Sequence, residues 1–337
     1  MDRNPPNQFG VTPFHKAAAN GLWTVCKLLI KSISNKNPAD DNGETPLHYA
    51  ASGGDLAVCQ LMYQHLSQKN PSNHFGTTPL HKAAANGHLS ICQLIIENVK
   101  NKYPQNHDGE TPLHFAAQNG HLSVCQLLID NMNDKNPPNN NGETPLHFAA
   151  KRGHLKICQL ITGKSKEKNP LFYDFLSPPR EDYGKTPFHE AASNGHLSVC
   201  QLFIEILDNK NPPNECGETP LHLAAKSGHL SICQLIIDNV EDKNPPNKSG
   251  TTPLHLATKS SYSKKYLSIC QLLIESAKIQ NPPDQDGSSF VYLSGDKAYE
   301  EIHRMRIRNS TYGNRINNSA SQSSTHNSQT RPHSMVY

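Results

Sequence analysis

The side chains in this chain with the most chemistry to offer are its 19 histidines and nine cysteines. Imidazole and thiolate bind zinc, a thiol beside an imidazole is a nucleophile, and paired thiols form disulfides. Spacing decides among these uses. Eight histidines close Thr-Pro-(Leu/Phe)-His tetrads, at His15, His48, His81, His114, His147, His189, His222 and His255, and five more follow glycine in Gly-His-Leu, at His88, His121, His154, His196 and His229. Eight cysteines keep the same step, at Cys26, Cys59, Cys92, Cys125, Cys158, Cys200, Cys233 and Cys270, while Cys216 stands alone.

The step is 33 residues, interrupted once by 42 between the tetrads at Thr144 and Thr186. Equivalent residues in neighbouring units are therefore separated by the distance between stacked helices, about 8 to 10 Å. Zinc needs its ligands about 2.0 to 2.3 Å from one ion, and a disulfide needs Cα atoms within about 7 Å. Neither histidines nor cysteines in such a ladder can meet those limits. The tetrad imidazole is expected to bond the turn backbone and its own threonine hydroxyl, fixing turn to helix, and the ladder cysteines to be buried, inert thiols. Cys216 lies beside Glu215, where a carboxylate raises a thiol's pKa instead of activating it. No Gly-rich phosphate loop, paired catalytic carboxylates or Gly-x-Ser-x-Gly elbow occurs, so the expectation is a non-enzymatic protein without cofactor or bound metal.

Each unit contains the elements that hold these side chains. Taking the Thr111 unit, Thr111 can cap a helix whose first position is Pro112, and Gly120 can end it. Leu122, Val124, Cys125, Leu128 and Ile129 then give a second helix with a broad apolar side. An Asn-Pro-Pro-Asn-x-x-Gly stretch follows and forces a turn, as at 136–142, 211–217 and 244–250. The tetrad, the following alanines and the length resemble the ankyrin repeat. That resemblance implies an all-α solenoid of helix-turn-helix units with projecting β-hairpin fingers, first helices lining a concave face and second helices an outer one. It covers residues 1–287 as eight repeats, with a nine-residue finger insertion near 170–178. A degenerate repeat and capping helix are expected at 288–308, and a disordered polar tail at 309–337.

Three departures from the family pattern stand out. Val99, Met132, Ser165, Leu207 or Val240 occupies the position after the second helix where the family has glycine, which leaves room for a longer helix. Asp134-Lys135-Asn136 and Asp242-Lys243-Asn244 put a charge where the family often buries valine. The eighth unit lacks its interhelix glycine and carries four extra residues within 259–266, so it is expected to be looser.

Composition agrees with an array. Apolar residues make up only 35% of the chain, thin for one large core and sufficient for narrow interfaces between units. The net charge of +3 argues against a nucleic-acid-coating protein, and five arginines without an acid in 302–337 account for it. No apolar run nears the ~18 residues that span a membrane. The opening Met1-Asp2-Arg3-Asn4-Pro5-Pro6 has no apolar stretch of a signal peptide. Together these give the expectation of a monomeric cytoplasmic protein, with the nucleus as a second address. At the first unit the outward face is uncapped except for Trp23 and Lys27.

Positions that differ between repeats separate scaffold from free surface. In the ankyrin family, finger tips and the inner side of the first helices contact partners, and carried onto this chain these are Tyr49, Phe75, Phe115, Phe148, Lys151, Arg152 and Tyr183. Phe115 and Phe148 serve packing or binding equally well at this level. Phe172, Tyr173 and Phe175 crowd the insertion, which either folds back on its neighbours or acts as a recognition finger. The function these readings imply is an interaction scaffold or adaptor for a protein partner, with no small-molecule substrate. The alternative is a regulatory or targeting subunit of an enzyme or channel complex, loosely supported by a terminal Met335-Val336-Tyr337 that resembles a PDZ ligand.

Overall fold

The structure is a computed structural model and describes residues 4–171, 184–258 and 264–277. Among these, sixteen α-helices run in eight pairs: α1 Pro13–Ala19 and α2 Trp23–Ser32, α3 Pro46–Gly53 and α4 Leu56–His65, α5 Pro79–Ala85 and α6 Leu89–Asn98, α7 Pro112–Gln118 and α8 Leu122–Asn131, α9 Pro145–Arg152 and α10 Leu155–Lys164, α11 Pro187–Ser193 and α12 Leu197–Ile206, α13 Pro220–Ser227 and α14 Leu230–Ile237, α15 Pro253–Thr258 and α16 Lys264–Ala277. Each first helix begins at the tetrad proline, whose missing N–H costs nothing at that position. Gly120 shows why the interhelix residue is glycine: its φ is +82°, and a Cβ there would sit 2.7 Å from the His154 ring.

First helices of neighbouring units lie in closer contact than second helices do. The cause is the paired alanines, such as Ala83-Ala84, Ala116-Ala117 and Ala149-Ala150, all fully buried, which let backbones approach, while Ile and Leu hold the second helices apart. The core is one continuous band of Ala, Leu, Ile, Val and Cys from unit to unit, with no single centre.

The expected β-hairpins are not there: no strand occurs among the described residues. In each finger that is described throughout, one asparagine or aspartate side chain takes the amide protons that a ladder would use. Asn73 Oδ1 accepts from Phe75 N and Thr77 N at 2.9 Å each, and Asn139 Oδ1 from Asn141 N at 3.0 Å and Glu143 N at 2.9 Å. Two backbone bonds then close the loop, as from Asn73 N to Thr77 O at 2.9 Å and from Gly76 N to Asn73 O at 3.0 Å. Fingers are instead joined tip to tip, His74 N donating to Asn42 O, His107 N to Phe75 O and Asn140 N to Asp108 O, all at 2.9 Å. Prolines beside these asparagines remove the donors a strand would need.

Loss of the family's glycine does not lengthen the second helices. They stop at ten residues in α2, α4, α6, α8, α10 and α12, and the next residue is extended, with Val99 at φ −121° and Met132 at φ −100°. The charged residue of the Asp-Lys-Asn stretch supplies the cap. Lys135 Nζ donates to Ile129 O at 2.6 Å and also to Met132 O. Lys168 and Lys210 do the same for α10 and α12, to Ser165 O at 2.8 Å and Ile204 O at 2.5 Å. An ammonium at the carbonyl end of a helix is favourable both as a hydrogen bond and against the helix dipole. Met132, freed from the helix, turns its side chain into the core and is buried.

The expected capping helix and tail fall outside the described residues, as does 259–263 of the stretch 259–266 that carries the four extra residues. In the part of the eighth unit that is described, Tyr266 takes the place of the interhelix histidine, its hydroxyl donating to Lys226 O at 3.3 Å, and Lys265 Nζ beside it donates to Ser227 O at 3.3 Å.

Candidate interaction surface

Seven of the tetrad histidines, from His15 to His222, are structural to both nitrogens. In the first unit, His15 Nδ1 accepts from Thr12 N at 3.1 Å and lies 2.9 Å from its hydroxyl, while Nε2 faces Glu44 O at 3.0 Å. An acceptor carbonyl at Nε2 and a donor amide at Nδ1 fix the Nε2–H tautomer. Glu44 belongs to the next finger, so the imidazole ties its own turn to the neighbouring unit. The pattern repeats at His48, His81, His114, His189 and His222, with Nε2 at 3.0 to 3.2 Å from Thr77 O, Glu110 O, Glu143 O, Glu218 O and Thr251 O. Burial pushes these imidazoles far down, to about 4 at His48, His81 and His114 and about 3 at His147 and His189. A neutral ring with both nitrogens engaged has no lone pair to offer a metal.

The second histidine set works in the other direction. His88 Nε2 donates to Ser52 O, His121 to Ala85 O and His229 to Ser193 O, each at 3.0 Å and each in the preceding unit. The eight ladder cysteines are buried and unpaired, and burial raises their thiols to about 11 at Cys26 and about 12 elsewhere. Among the described residues no three His, Cys, Asp or Glu groups converge on a common point.

What remains free is the inner side of the first helices and the finger tips. Tyr49, Phe115 and Phe148 occupy one helical position in three units, and each ring stands edge-on to the tetrad imidazole of the unit before: Tyr49 on His15 at 5.1 Å, Phe115 on His81 at 5.6 Å and Phe148 on His114 at 5.7 Å. All three are half-buried, so packing and an exposed edge coexist in the same side chain. Tyr49 also donates from its hydroxyl to Asp40 at 2.8 Å. Lys151 and Arg152, at the end of α9, are exposed, with Glu190 3.9 Å from the Lys151 ammonium.

Carboxylates run beside this column at the finger bases. Glu44 meets Lys82 at 2.5 Å. Burial holds the carboxyls of Glu110 and Glu143 above the usual range, despite hydrogen bonds from Asn106 and Asn139. Phe75 projects from its finger tip with 59% of its surface exposed, and Phe9, two fingers away at the same tip position, is exposed to the same extent. Phe9 was not among the residues the repeat comparison selected, although it stands in the same column as Phe75. Phe172, Tyr173, Phe175 and Tyr183 lie outside the described residues.

Similar crevices recur in three units where the second helix passes into its finger, for example one of about 670 Å³ lined by Asp134, Lys135, Asn136, Lys164 and Glu167. Their recurrence makes them a by-product of the repeat.

Stacked helix pairs with structural histidines and a variable rim place the molecule among the helical-repeat solenoids, whose surfaces are built from independent units. More narrowly, the chain belongs to the ankyrin-repeat family: the profile for three ankyrin repeats matches residues 1–74, 57–139, 80–170, 131–212 and 188–286. Ankyrin repeats are generally protein–protein interaction modules. No curated protein matches the chain, and no helix among the described residues is long and apolar enough to cross a membrane.

Proposed function

We propose that the protein is a non-enzymatic scaffold or adaptor that holds a protein partner against its finger tips and the inner side of its first helices. The observation that carries this reading is the pair Phe9 and Phe75, two large rings exposed at the same tip position on fingers that side-chain and tip-to-tip hydrogen bonds keep rigid. Aromatic anchors on a preorganised support are the residues that dominate interface energetics. The edges of Tyr49, Phe115 and Phe148 extend that apolar track along the groove. Lys151 and Arg152 supply charge at one end of it. In this reading the molecule works as a monomer in the cytoplasm, needs no cofactor, and uses the 170–178 insertion as a further recognition finger.

The test is affinity capture with the full chain, its Phe9→Ala/Phe75→Ala variant and a chain lacking residues 171–177. Proteins retained by the wild type should be lost with the double variant while helical circular dichroism stays the same. Equal capture by all three chains would sink the reading.

A further inference from the structure

At the foot of each finger, the residue before the tetrad threonine belongs beside the residue after the tetrad histidine of the next unit. Glu44 and Lys82 show the pairing, with their charged groups 2.5 Å apart. Two units on, the residue aligned with Glu44 is Glu110, and Phe148 holds the place of the lysine. One unit further, Glu143 has Glu190 in that place, close enough for its charge to act on Glu143. Two carboxylates thus lack the cation that their equivalent has. The fold itself does not ask for acid here, since the same position carries Val11, Thr77, Lys185 and Thr251 in other units.

The rest of the protein supplies little charge to offset these acids. Glu110 accepts a hydrogen bond from the Asn106 amide at 3.0 Å, a neutral donor. Among the described residues, Lys151 alone pairs with any of the three acids, 3.9 Å from Glu190, and its charge is shared with Glu143. Burial raises the carboxyls of Glu110 and Glu143, and the charges of Asp108 and Glu190 push them the same way. Both side chains are half-buried, not enclosed, so a cation arriving along the groove can pair with them.

Spacing says how such cations must be carried. Equivalent residues of adjacent units are about 8 to 10 Å apart. In a polyproline II segment three residues rise about 9 Å and return to the same side, whereas same-side positions of a β-strand fall about 7 or 13 Å apart. Phe115 and Phe148, half-buried in the same column, offer rings on which guanidinium groups and prolines pack. We infer that this stretch of the groove, Glu110, Glu143 and Glu190 with Phe115 and Phe148, binds a polyproline II segment of a partner protein that carries arginine at every third position. One guanidinium takes at Glu110 the place that Lys82 takes at Glu44 and rests on Phe148, and the next enters between Glu143 and Glu190. This rests on the groove reading proposed above and supplies the chemistry of its occupant.

The experiment titrates the full chain into three fluorescein-labelled peptides and reads anisotropy: Arg-Pro-Pro repeated four times, Glu-Pro-Pro repeated four times, and the first composition with its arginines placed together. The Arg-Pro-Pro peptide should bind saturably and more weakly as salt rises. The clustered peptide should bind at least about tenfold more weakly, and the glutamate peptide not at all. Glu110→Gln/Glu143→Gln, near-isosteric at half-buried sites and so without effect on circular dichroism, should weaken the Arg-Pro-Pro peptide by at least about tenfold. Phe148→Lys, which sets beside Glu110 the cation that Glu44 has in Lys82, should weaken it as well. Phe9→Ala/Phe75→Ala should leave peptide binding unchanged. A chain that captures partners through Phe9 and Phe75 yet binds no Arg-Pro-Pro peptide therefore keeps the broader reading and overturns this one. Three further outcomes overturn it: equal binding of the spaced peptide and either control, undiminished binding by Glu110→Gln/Glu143→Gln, or binding that appears only once residues 302–337 are removed, which would give the groove to this chain's own arginines.

Discussion

His147 Nε2 donates to the carbonyl of Lys185, 3.2 Å away and 38 residues further along the chain. The same bond from His15, His48, His81, His114, His189 and His222 spans 29 residues. The nine extra residues of the fifth-to-sixth finger thus leave the base of that finger in register. A second bond repeats the lesson, since Asn169 Oδ1 accepts from Phe188 N across 19 residues where Asn136 and Leu146 are 10 apart.

If the finger base alone holds the stack together, removing residues 171–179 should leave it intact. The remaining Asn169-Pro170-Arg180-Glu181-Asp182-Tyr183-Gly184 has the length of the regular turn. Thermal unfolding followed by circular dichroism should stay a single transition within a few degrees of the wild type. A split or strongly lowered transition would mean that the insertion itself holds the fifth and sixth units together.

Acid should unfold the array through its histidines. Burial lowers the folded pKa to about 4 at His48, His81, His114 and His222 and about 3 at His147 and His189, so below about 6.5 the unfolded chain binds more protons than the folded one. The stability these groups contribute is complete above about pH 7 and is lost as pH falls from about 6.5 toward 4. At pH 5 each neutral ring costs about 2 kcal/mol. Glu110 and Glu143, whose carboxyls are shifted upward, act in the opposite sense but are outnumbered. The melting temperature should therefore drop steeply between pH 6.5 and 4.5; a flat profile there would contradict the neutral, buried assignment.

Truncations should rank by position in the repeat. Leu128→Ala empties a buried core site and should cost about 2 to 5 kcal/mol. His114→Ala strands the Thr111 amide and the Glu143 carbonyl, both in the buried part of the joint, and should cost about 2 to 4 kcal/mol. Asn140→Ala, at an exposed finger tip, should stay within about 1 kcal/mol, losing one bond to His107 O. Denaturant melts of the three variants give the ranking, and equal costs would place the register in error.

Thiol chemistry should see one cysteine. Cys216 is half-buried at a finger tip, and the other eight are buried with thiols raised to about 11 or 12. Iodoacetamide under native conditions should label Cys216 first, and all nine should react in guanidinium. Rapid native labelling of a ladder cysteine, read by peptide mass spectrometry, would show that the units open far more readily than their packing implies.

Much of this was legible in the residues because the repeat encodes it locally. Thr111, Pro112 and Gly120 set a helix start and stop within ten residues, and the interval between tetrads fixed which histidines and cysteines are equivalent. That register sets equivalent histidines and equivalent cysteines in separate units, further apart than one zinc ion or one disulfide allows. Other features depend on atoms that no single unit contains. The acceptor for His15 is a carbonyl in the next finger, so the sequence suggested a bond to the turn without saying that the ring joins two units. Lys135 looked like a misplaced charge until the end of α8 was seen to offer it carbonyls. The fingers lost their expected strands because Asn73 and Asn139 compete for the amide protons, a choice between side chain and ladder that composition cannot settle. Phe75 and Phe115 are both free-position aromatics in the sequence, yet one stands in solvent and the other leans on His81, because exposure is a property of the neighbour. Periodic sequence determines what each unit is; the stack decides what each unit touches.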